Sequence, residues 1–157
     1  MKILKPFVAF ALMLCFLVSC ESKFYKKYQD IPMLQWKREN VLKYEVQIDN
    51  IAKAYDLTIA LRFVPSIKQH PLNLLVGTVS PTGKTTQKTY AINIKGAEGQ
   101  HIGKLMGDIA DLEQKIEGKY MFLEKGKYTF TITQATDAAD LGGVQEVGLV
   151  IDQEKTK

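Results

Sequence analysis

The chain has 157 residues, of which 46% are hydrophobic and 24% are charged, and its formal net charge at pH 7 is +4. This length corresponds to one domain, with a core large enough to be stable without disulfide or metal staples. The mild basicity predicts neither nucleic-acid binding nor binding to other acidic polymers. A single globular domain that binds no nucleic acid is therefore expected.

The first twenty residues have the layout of a bacterial lipoprotein signal. Two lysines precede an apolar stretch over residues 7–18, which is too short to span a bilayer as a permanent helix. The stretch ends in Leu17-Val18-Ser19-Cys20, which resembles a lipobox. We therefore expect residues 1–19 to be a cleaved signal peptide and Cys20 to carry acyl chains, palmitate among them, as a membrane anchor. An ordinary signal or an uncleaved anchor is the alternative.

The anchor would use up the cysteines of this chain. Of its two cysteines, Cys15 leaves with the signal and Cys20 is consumed by lipid. No cysteine then remains for a disulfide, a metal cluster or a nucleophile. The folded domain must therefore be stabilised by its apolar core alone.

Residues 20–42 show few periodic signals, and we expect them to form the lipidated N-terminus and a tether. Three lysines alternate with aromatic residues here. They either contact anionic lipid headgroups, at about 1 kcal/mol per lysine, or belong to a solvated linker. Trp36 lies in the same segment and could dock on the domain that follows.

From Lys43 onward the apolar residues follow a period of two, which is typical of half-buried strands. Tyr44, Val46 and Ile48 alternate with polar residues, and the run from Tyr55 to Phe63 repeats the pattern. Further strands are expected over residues 72–79, 88–94, 120–123, 127–134 and 145–151. Seven or eight short strands separated by turn residues favour an all-β fold, an antiparallel, jelly-roll-like β-sandwich over residues 43–157.

One interruption lies at residues 105–115, where apolar side chains recur every three or four positions. This spacing predicts at most one short helix, or a loop that packs three apolar residues on the sheet. Asp108 would then cap the helix by accepting a bond from a backbone N–H. Alternatively, Asp108 and Asp111 would be paired carboxylates of the kind that glycoside hydrolysis requires.

No catalytic or metal-binding constellation is recognised in the sequence. The two histidines, His70 and His101, lie in different predicted loops and lack the spacing of zinc ligands. Five residues separate Gly77 from Gly83, whereas a phosphate-binding loop needs four, and Pro81 would remove a backbone donor. We therefore predict that the protein is not an enzyme and uses no metal and no cofactor.

Two polar residues interrupt the apolar strands. Arg62 lies on the side of its strand opposite Leu61, which places it outward or at a sheet rim. Asn73 follows Pro71 inside the next apolar segment, where an unpaired amide would be costly. Either Asn73 satisfies backbone groups in a bulge, or Arg62 and Asn73 form a polar patch for a partner. With Trp36, they are the candidate contact residues.

Several short motifs follow the lipobox in a characteristic order. They are Trp36, Tyr55-x-Leu57-x-Ile59-x-Leu61-Arg62, Pro71-x-Asn73-Leu74, Gly107-Asp108, Gly126-x-Tyr128-x-Phe130-x-Ile132-x-Gln134 and Leu141-Gly-Gly143-Val144. Each motif alone is weak, but together they cover nearly the whole mature chain. In this order and spacing the chain resembles the GldH-type gliding-motility lipoproteins of Bacteroidota.

The resemblance implies a cell-envelope lipoprotein without enzymatic activity. Its role would be that of an accessory or scaffold component of the gliding-motility and type IX secretion machinery, with other envelope proteins as partners. The outer membrane is the expected location, and the side that the domain faces is open. The alternative is a ligand-binding sandwich, for a glycan among others, which an exposed Tyr90, Tyr120 or Trp36 in a polar cleft would favour.

Overall fold

The structure is a computed structural model, and it describes residues 24–154. This part of the chain contains eleven strands, one 3-10 turn over Pro32–Leu34 and no α-helix. The strands are β1 (Tyr25–Asp30), β2 (Gln35–Lys37), β3 (Leu42–Ile48), β4 (Ala54–Phe63), β5 (Leu72–Val79), β6 (Thr85–Ile92), β7 (Lys104–Met106), β8 (Ile109–Met121), β9 (Gly126–Gln134), β10 (Asp140–Gly142) and β11 (Val144–Gln153).

Two antiparallel sheets pack face to face and enclose the core. The larger sheet has five strands in the order β1-β11-β4-β8-β7, and the smaller has four in the order β3-β9-β5-β6. A two-stranded ribbon of β2 and β10 lies beside them. Successive long strands mostly cross from one sheet to the other, as they do in double-sheet jelly rolls. The predicted all-β antiparallel sandwich is confirmed.

The alternation within each strand decides which side chains enter the core. In β3 every second residue is buried, and the residues between them are exposed. Tyr44 of β3 crosses the sandwich, and its hydroxyl donates to the Val147 carbonyl of β11 at 2.7 Å. Burial raises the pKa of Tyr44, so the phenol keeps its proton and stays a donor at neutral pH. This bond ties β3, an edge strand of the smaller sheet, to β11 of the larger sheet.

The segment expected to be a tether contributes two strands. β1 pairs along its full length with β11, and β2 pairs with β10. The boundary expected after residue 42 is therefore not where the sandwich begins, since the first strand starts at Tyr25. β1 does not alternate apolar with polar residues, because it is an edge strand whose inner side carries Tyr25, Lys27 and Gln29. Cys20 and the signal over residues 1–19 lie outside the described residues and stay predictions.

The short helix or packed loop expected at residues 105–115 is wrong. These residues form the hairpin of β7 and β8, in which Met106 lies opposite Ile109. Gly107, with a φ of 64°, is the first residue of the two-residue turn, where a positive φ favours glycine. Asp108 completes this turn and caps no helix. The apolar residues of this segment recur at helical spacing, but they do not share a buried face, since Leu105 is 59% exposed.

Candidate partner and ligand sites

Trp36 lies in the core and offers no surface to a partner. Its side chain has no exposed area, because β2 pairs with β10 and Trp36 stands opposite Leu141. The indole Nε1–H donates to the Asn40 carbonyl at 2.9 Å. The prediction of Trp36 as a contact residue is therefore corrected: this tryptophan is a structural residue.

Arg62 and Asn73 lie on opposite outer faces of the sandwich. Leu61 of β4 is buried in the core, so Arg62 projects from the outer face of the five-stranded sheet. Leu72 and Leu74 of β5 are buried in the same core from the other side, so Asn73 projects from the outer face of the four-stranded sheet. The hypothesis that Arg62 and Asn73 share one contact patch is wrong, because the whole core separates them.

Arg62 links three strands of the larger sheet. Its Nε and Nη2 donate to the two carboxylate oxygens of Asp111 on β8, at 2.7 and 3.3 Å. Its Nη1 donates to Glu146 on β11 at 3.0 Å. The hydrogen bond from Arg62 is the main reason that the pKa of Asp111 is lowered. Asp111 is thus held as a carboxylate that fixes the arginine across the sheet.

A charged groove, which we call the Arg62 groove, continues from this network over the same face. It has a volume of about 330 Å³. Its polar lining residues are Lys26, Tyr28, Arg62, Lys104, Asp111 and Glu113. The Tyr28 ring lies directly on Gly148, where any Cβ would come within 2.6 Å of the ring. Lys26 pairs with Glu113 at 3.2 Å, and the groove is lined by three cationic side chains and two carboxylates.

A second concave site, which we call the Tyr90 cleft, opens between β6 and β8. β7 covers only the first three residues of β8, so the rest of β8 faces the edge of β6 without an intervening strand. Side chains bridge this gap. The Gln114 amide donates to the Ala91 carbonyl at 3.0 Å and accepts from the Asn93 N–H at 2.9 Å. The two sheets are therefore joined here by side chains rather than by a backbone ladder.

The mouth of the Tyr90 cleft carries a fixed hydrogen-bonding group. Glu117 accepts from Lys88 at 2.5 Å and from the Tyr90 hydroxyl at 2.6 Å. The bond from Lys88 is the first cause of the lowered pKa of Glu117, and burial is the first cause of the raised pKa of Tyr90. At neutral pH Glu117 is thus a carboxylate and Tyr90 a protonated phenol, and the Lys88 Nζ lies beside them.

The floor of the Tyr90 cleft is apolar. The cavity has a volume of about 200 Å³ and is floored by Leu57, Val76, Ile116, Phe130 and Leu149. Tyr120 lines it together with Tyr90, and both rings are half-buried rather than fully exposed. The sequence pointed to both tyrosines but not to Lys88 or Glu117, because nothing local shows that β6 faces β8.

Comparison with known proteins identifies the family. The family described as GldH lipoprotein matches residues 23–151. The chain belongs to the GldH lipoprotein family. The resemblance noted from the motifs is thereby confirmed.

The GldH relatives come from Bacteroidota. The chain is 27% identical over 136 residues to the gliding motility lipoprotein GldH homolog of Christiangramia forsetii. This match covers 85% of this chain and 83% of the relative. It is also 27% identical over 145 residues to the gliding motility lipoprotein GldH of Flavobacterium johnsoniae, covering 87% and 89%. Among solved structures, a carbohydrate-binding module specific for non-crystalline cellulose has a TM-score of 0.43 and 13% identity, covering 83% of this chain and 75% of the module.

The remaining candidate residues of this GldH-family chain are dispersed. His70 is exposed, and His101 lies in a separate, half-buried loop. In the part of the chain that the structure describes, no group of three or more His, Cys, Asp or Glu side chains could hold a metal ion. Within residues 24–154, no helix has the length and hydropathy needed to cross a membrane.

Proposed function

We propose that this chain is a lipid-anchored, non-enzymatic accessory or scaffold component of the gliding-motility and type IX secretion machinery, held at the outer membrane. The observation that carries the proposal is the family match over residues 23–151, which begins three residues after the lipobox cysteine Cys20. An acyl anchor confines the domain to the membrane surface. Confinement raises its effective concentration for neighbouring envelope proteins without any new contact.

The electrostatics of the acidic residues support a binding role. Asp56, Asp111 and Glu117 each accept a hydrogen bond from a lysine or arginine, and each has a lowered pKa for that first reason. A general acid works best when its pKa is raised toward the working pH. These carboxylates are instead ionised and paired with cationic side chains, as expected for structural and contact residues.

The anchor is tested by replacing Cys20 with alanine. We expect Cys20→Ala to stay unprocessed and to lose its acyl mass, because the lipid attachment atom is gone. Mass spectrometry and membrane fractionation measure both effects. Cys15→Ala, in the signal itself, is the matched control and should be processed and anchored as the parent chain is. Unchanged acylation and processing of Cys20→Ala would refute the anchor.

The scaffold role is tested in the native envelope with the same anchored protein. Photo-crosslinking side chains at positions 62 and 73 probe the two outer faces separately, since Arg62 and Asn73 stay candidates for partner contact on opposite sheets. Recovery of envelope proteins from one face would identify the contact surface. Recovery of none from either face, with normal anchoring, would contradict the scaffold proposal.

A ligand-binding role is the second candidate, and the Tyr90 cleft is the observation that favours it. An apolar floor with a carboxylate, an ammonium and two tyrosines at its mouth suits a hydroxyl-rich ligand such as a glycan. If the full chain binds a glycan on an array, Glu117→Gln should weaken that binding about tenfold by removing a charge-assisted hydrogen bond. Glu113→Gln, in the Arg62 groove, is the control and should leave binding unchanged. Equal affinities of the two variants would exclude the cleft.

A further inference from the structure

We infer that the end of the sandwich that carries Phe24 rests on the lipid bilayer, with Met121 and Leu123 in the interfacial layer. The inference rests on the proposed acyl anchor at Cys20. Because β1 begins at Tyr25, only four residues lead from Cys20 to Phe24. Four extended residues reach at most about 14 Å, whereas a tether as far as residue 42 would reach about 75 Å. The short connection keeps this end of the domain beside the acyl chains.

The strand register shows which residues share that end. Ala54 at the start of β4 stands opposite Met121 at the end of β8. Phe24 contacts Tyr55, the next residue of β4, with ring centroids 5.3 Å apart. The β5–β6 turn lies here too, since its Thr82 bonds to Glu124 in the β8–β9 loop. The β8–β9 loop and its neighbours therefore surround the point where the chain emerges from the anchor.

Two large apolar side chains are exposed at this end. Met121 is 48% exposed and Leu123 is 77% exposed. The residue between them, Phe122, is buried and contacts Tyr55 and Tyr128 at centroid distances of 5.2 and 4.7 Å. Because Phe122 is fixed in the core, the alternation of the chain holds Met121 and Leu123 outward.

Hydrogen bonds of Glu124 also fix the β8–β9 loop directly after Leu123. The Glu124 N–H donates to the Tyr128 hydroxyl at 3.1 Å, and the Glu124 carboxylate accepts from the Thr82 hydroxyl at 2.9 Å. Leu123 is therefore presented on a fixed tip rather than on a loose loop. An apolar side chain that is already ordered loses little further entropy when it enters an interface.

Charged groups of both signs surround the tip. Three exposed lysines lie in loops of this end: Lys53, Lys84 and Lys125. Carboxylates lie there too: Asp49 bonds to Gln47, Glu124 bonds to Thr82, and Glu154 pairs with Lys119. The lysines are available to anionic headgroups, and the docking itself rests on the apolar tip and on the short connection to Cys20.

The test uses full-length acylated protein in phosphatidylethanolamine–phosphatidylglycerol vesicles. A single cysteine is placed at position 123 or at position 106 and labelled with an environment-sensitive fluorophore. Met106 is 56% exposed, much as Met121 is, but it lies at the other end of β8, about 40 Å away. We expect nitroxide lipids to quench the label at 123 several-fold more than the label at 106, and aqueous iodide to quench it less.

The outcomes separate the docking from the anchor. Acylated protein with equal nitroxide quenching at the two positions would overturn the docking and leave the anchor intact. Protection from iodide at 123 without nitroxide quenching would place a second copy there, which also overturns the docking. Absence of acyl groups on Cys20, seen by mass spectrometry, would overturn both proposals.

Discussion

Replacing Trp36 with alanine is expected to lower the free energy of unfolding by about 3–5 kcal/mol. The side chain has no exposed surface, and its indole N–H bonds to the Asn40 carbonyl, so the change removes the largest buried ring and a hydrogen bond together. The total stability of a domain of this size is about 5–15 kcal/mol, so the loss is a large share of it. Urea unfolding should show a lower midpoint with an unchanged slope.

The neighbouring exposed residue supplies the control for this substitution. Lys37 lies next to Trp36 in β2 and is exposed, so Lys37→Ala should change the unfolding free energy by less than about 0.5 kcal/mol. If Trp36→Ala does not fold, Trp36→Phe keeps most of the ring and should show an intermediate loss. A Trp36 variant as stable as Lys37→Ala would show that the tryptophan is not a core residue.

The second large effect is expected at the β8–β9 loop, where two adjacent residues have opposite environments. Phe122→Ala should lower the free energy of unfolding by about 3–5 kcal/mol, because it empties the centre of an aromatic cluster with Tyr55, Tyr120 and Tyr128. Leu123→Ala should cost less than about 0.5 kcal/mol in solution, because the leucine is exposed and packs on little.

The same pair separates stability from membrane contact. Thermal and urea unfolding of the two variants measure the first property, and vesicle quenching of the anchored protein measures the second. Leu123→Ala should keep the fold and weaken the interfacial contact of the tip. A loss of stability in Leu123→Ala as large as that in Phe122→Ala would mean that Leu123 belongs to the core and not to a presented tip.

The strands that could be predicted are those whose burial pattern is visible within the strand itself. β5 was expected over residues 72–79 and has those bounds, and β4 differs by one residue from the alternating run. Each has one side in the core, so its own sequence reports its orientation. The same alternation indicated that Arg62 lies outward or at a sheet rim, and in the structure it projects from the outer face.

The strands that could not be predicted depend on a partner far along the chain. β1 is an edge strand whose inner side carries a lysine and a glutamine. It forms a strand because all of its residues pair with β11 in a backbone ladder. β7 has three exposed residues and is ordered by its hairpin with β8. In both, pairing outweighs the local pattern, which on its own predicted a tether and a helix.

The candidate sites follow the same division. The sequence pointed to Tyr90 and Tyr120 as aromatic residues of a possible cleft, and they do line one. Their polar companions, Lys88 and Glu117, are joined across β6 and β8, and 29 positions separate them along the chain. A contact of that kind arises only when the two sheets are stacked, so no local pattern reports it.

By itself, the sequence determined the all-β class and membership of the GldH lipoprotein family, because alternation and the order of motifs are local and readable along the chain. Only the tertiary structure decided that Trp36 is a core residue and that Arg62 and Asn73 lie on opposite faces. It also placed strands within the expected tether, leaving three residues between Cys20 and Phe24. The physical reason is that backbone pairing between distant segments determines which strands are neighbours. That pairing in turn determines which residues are buried and which share an exposed face.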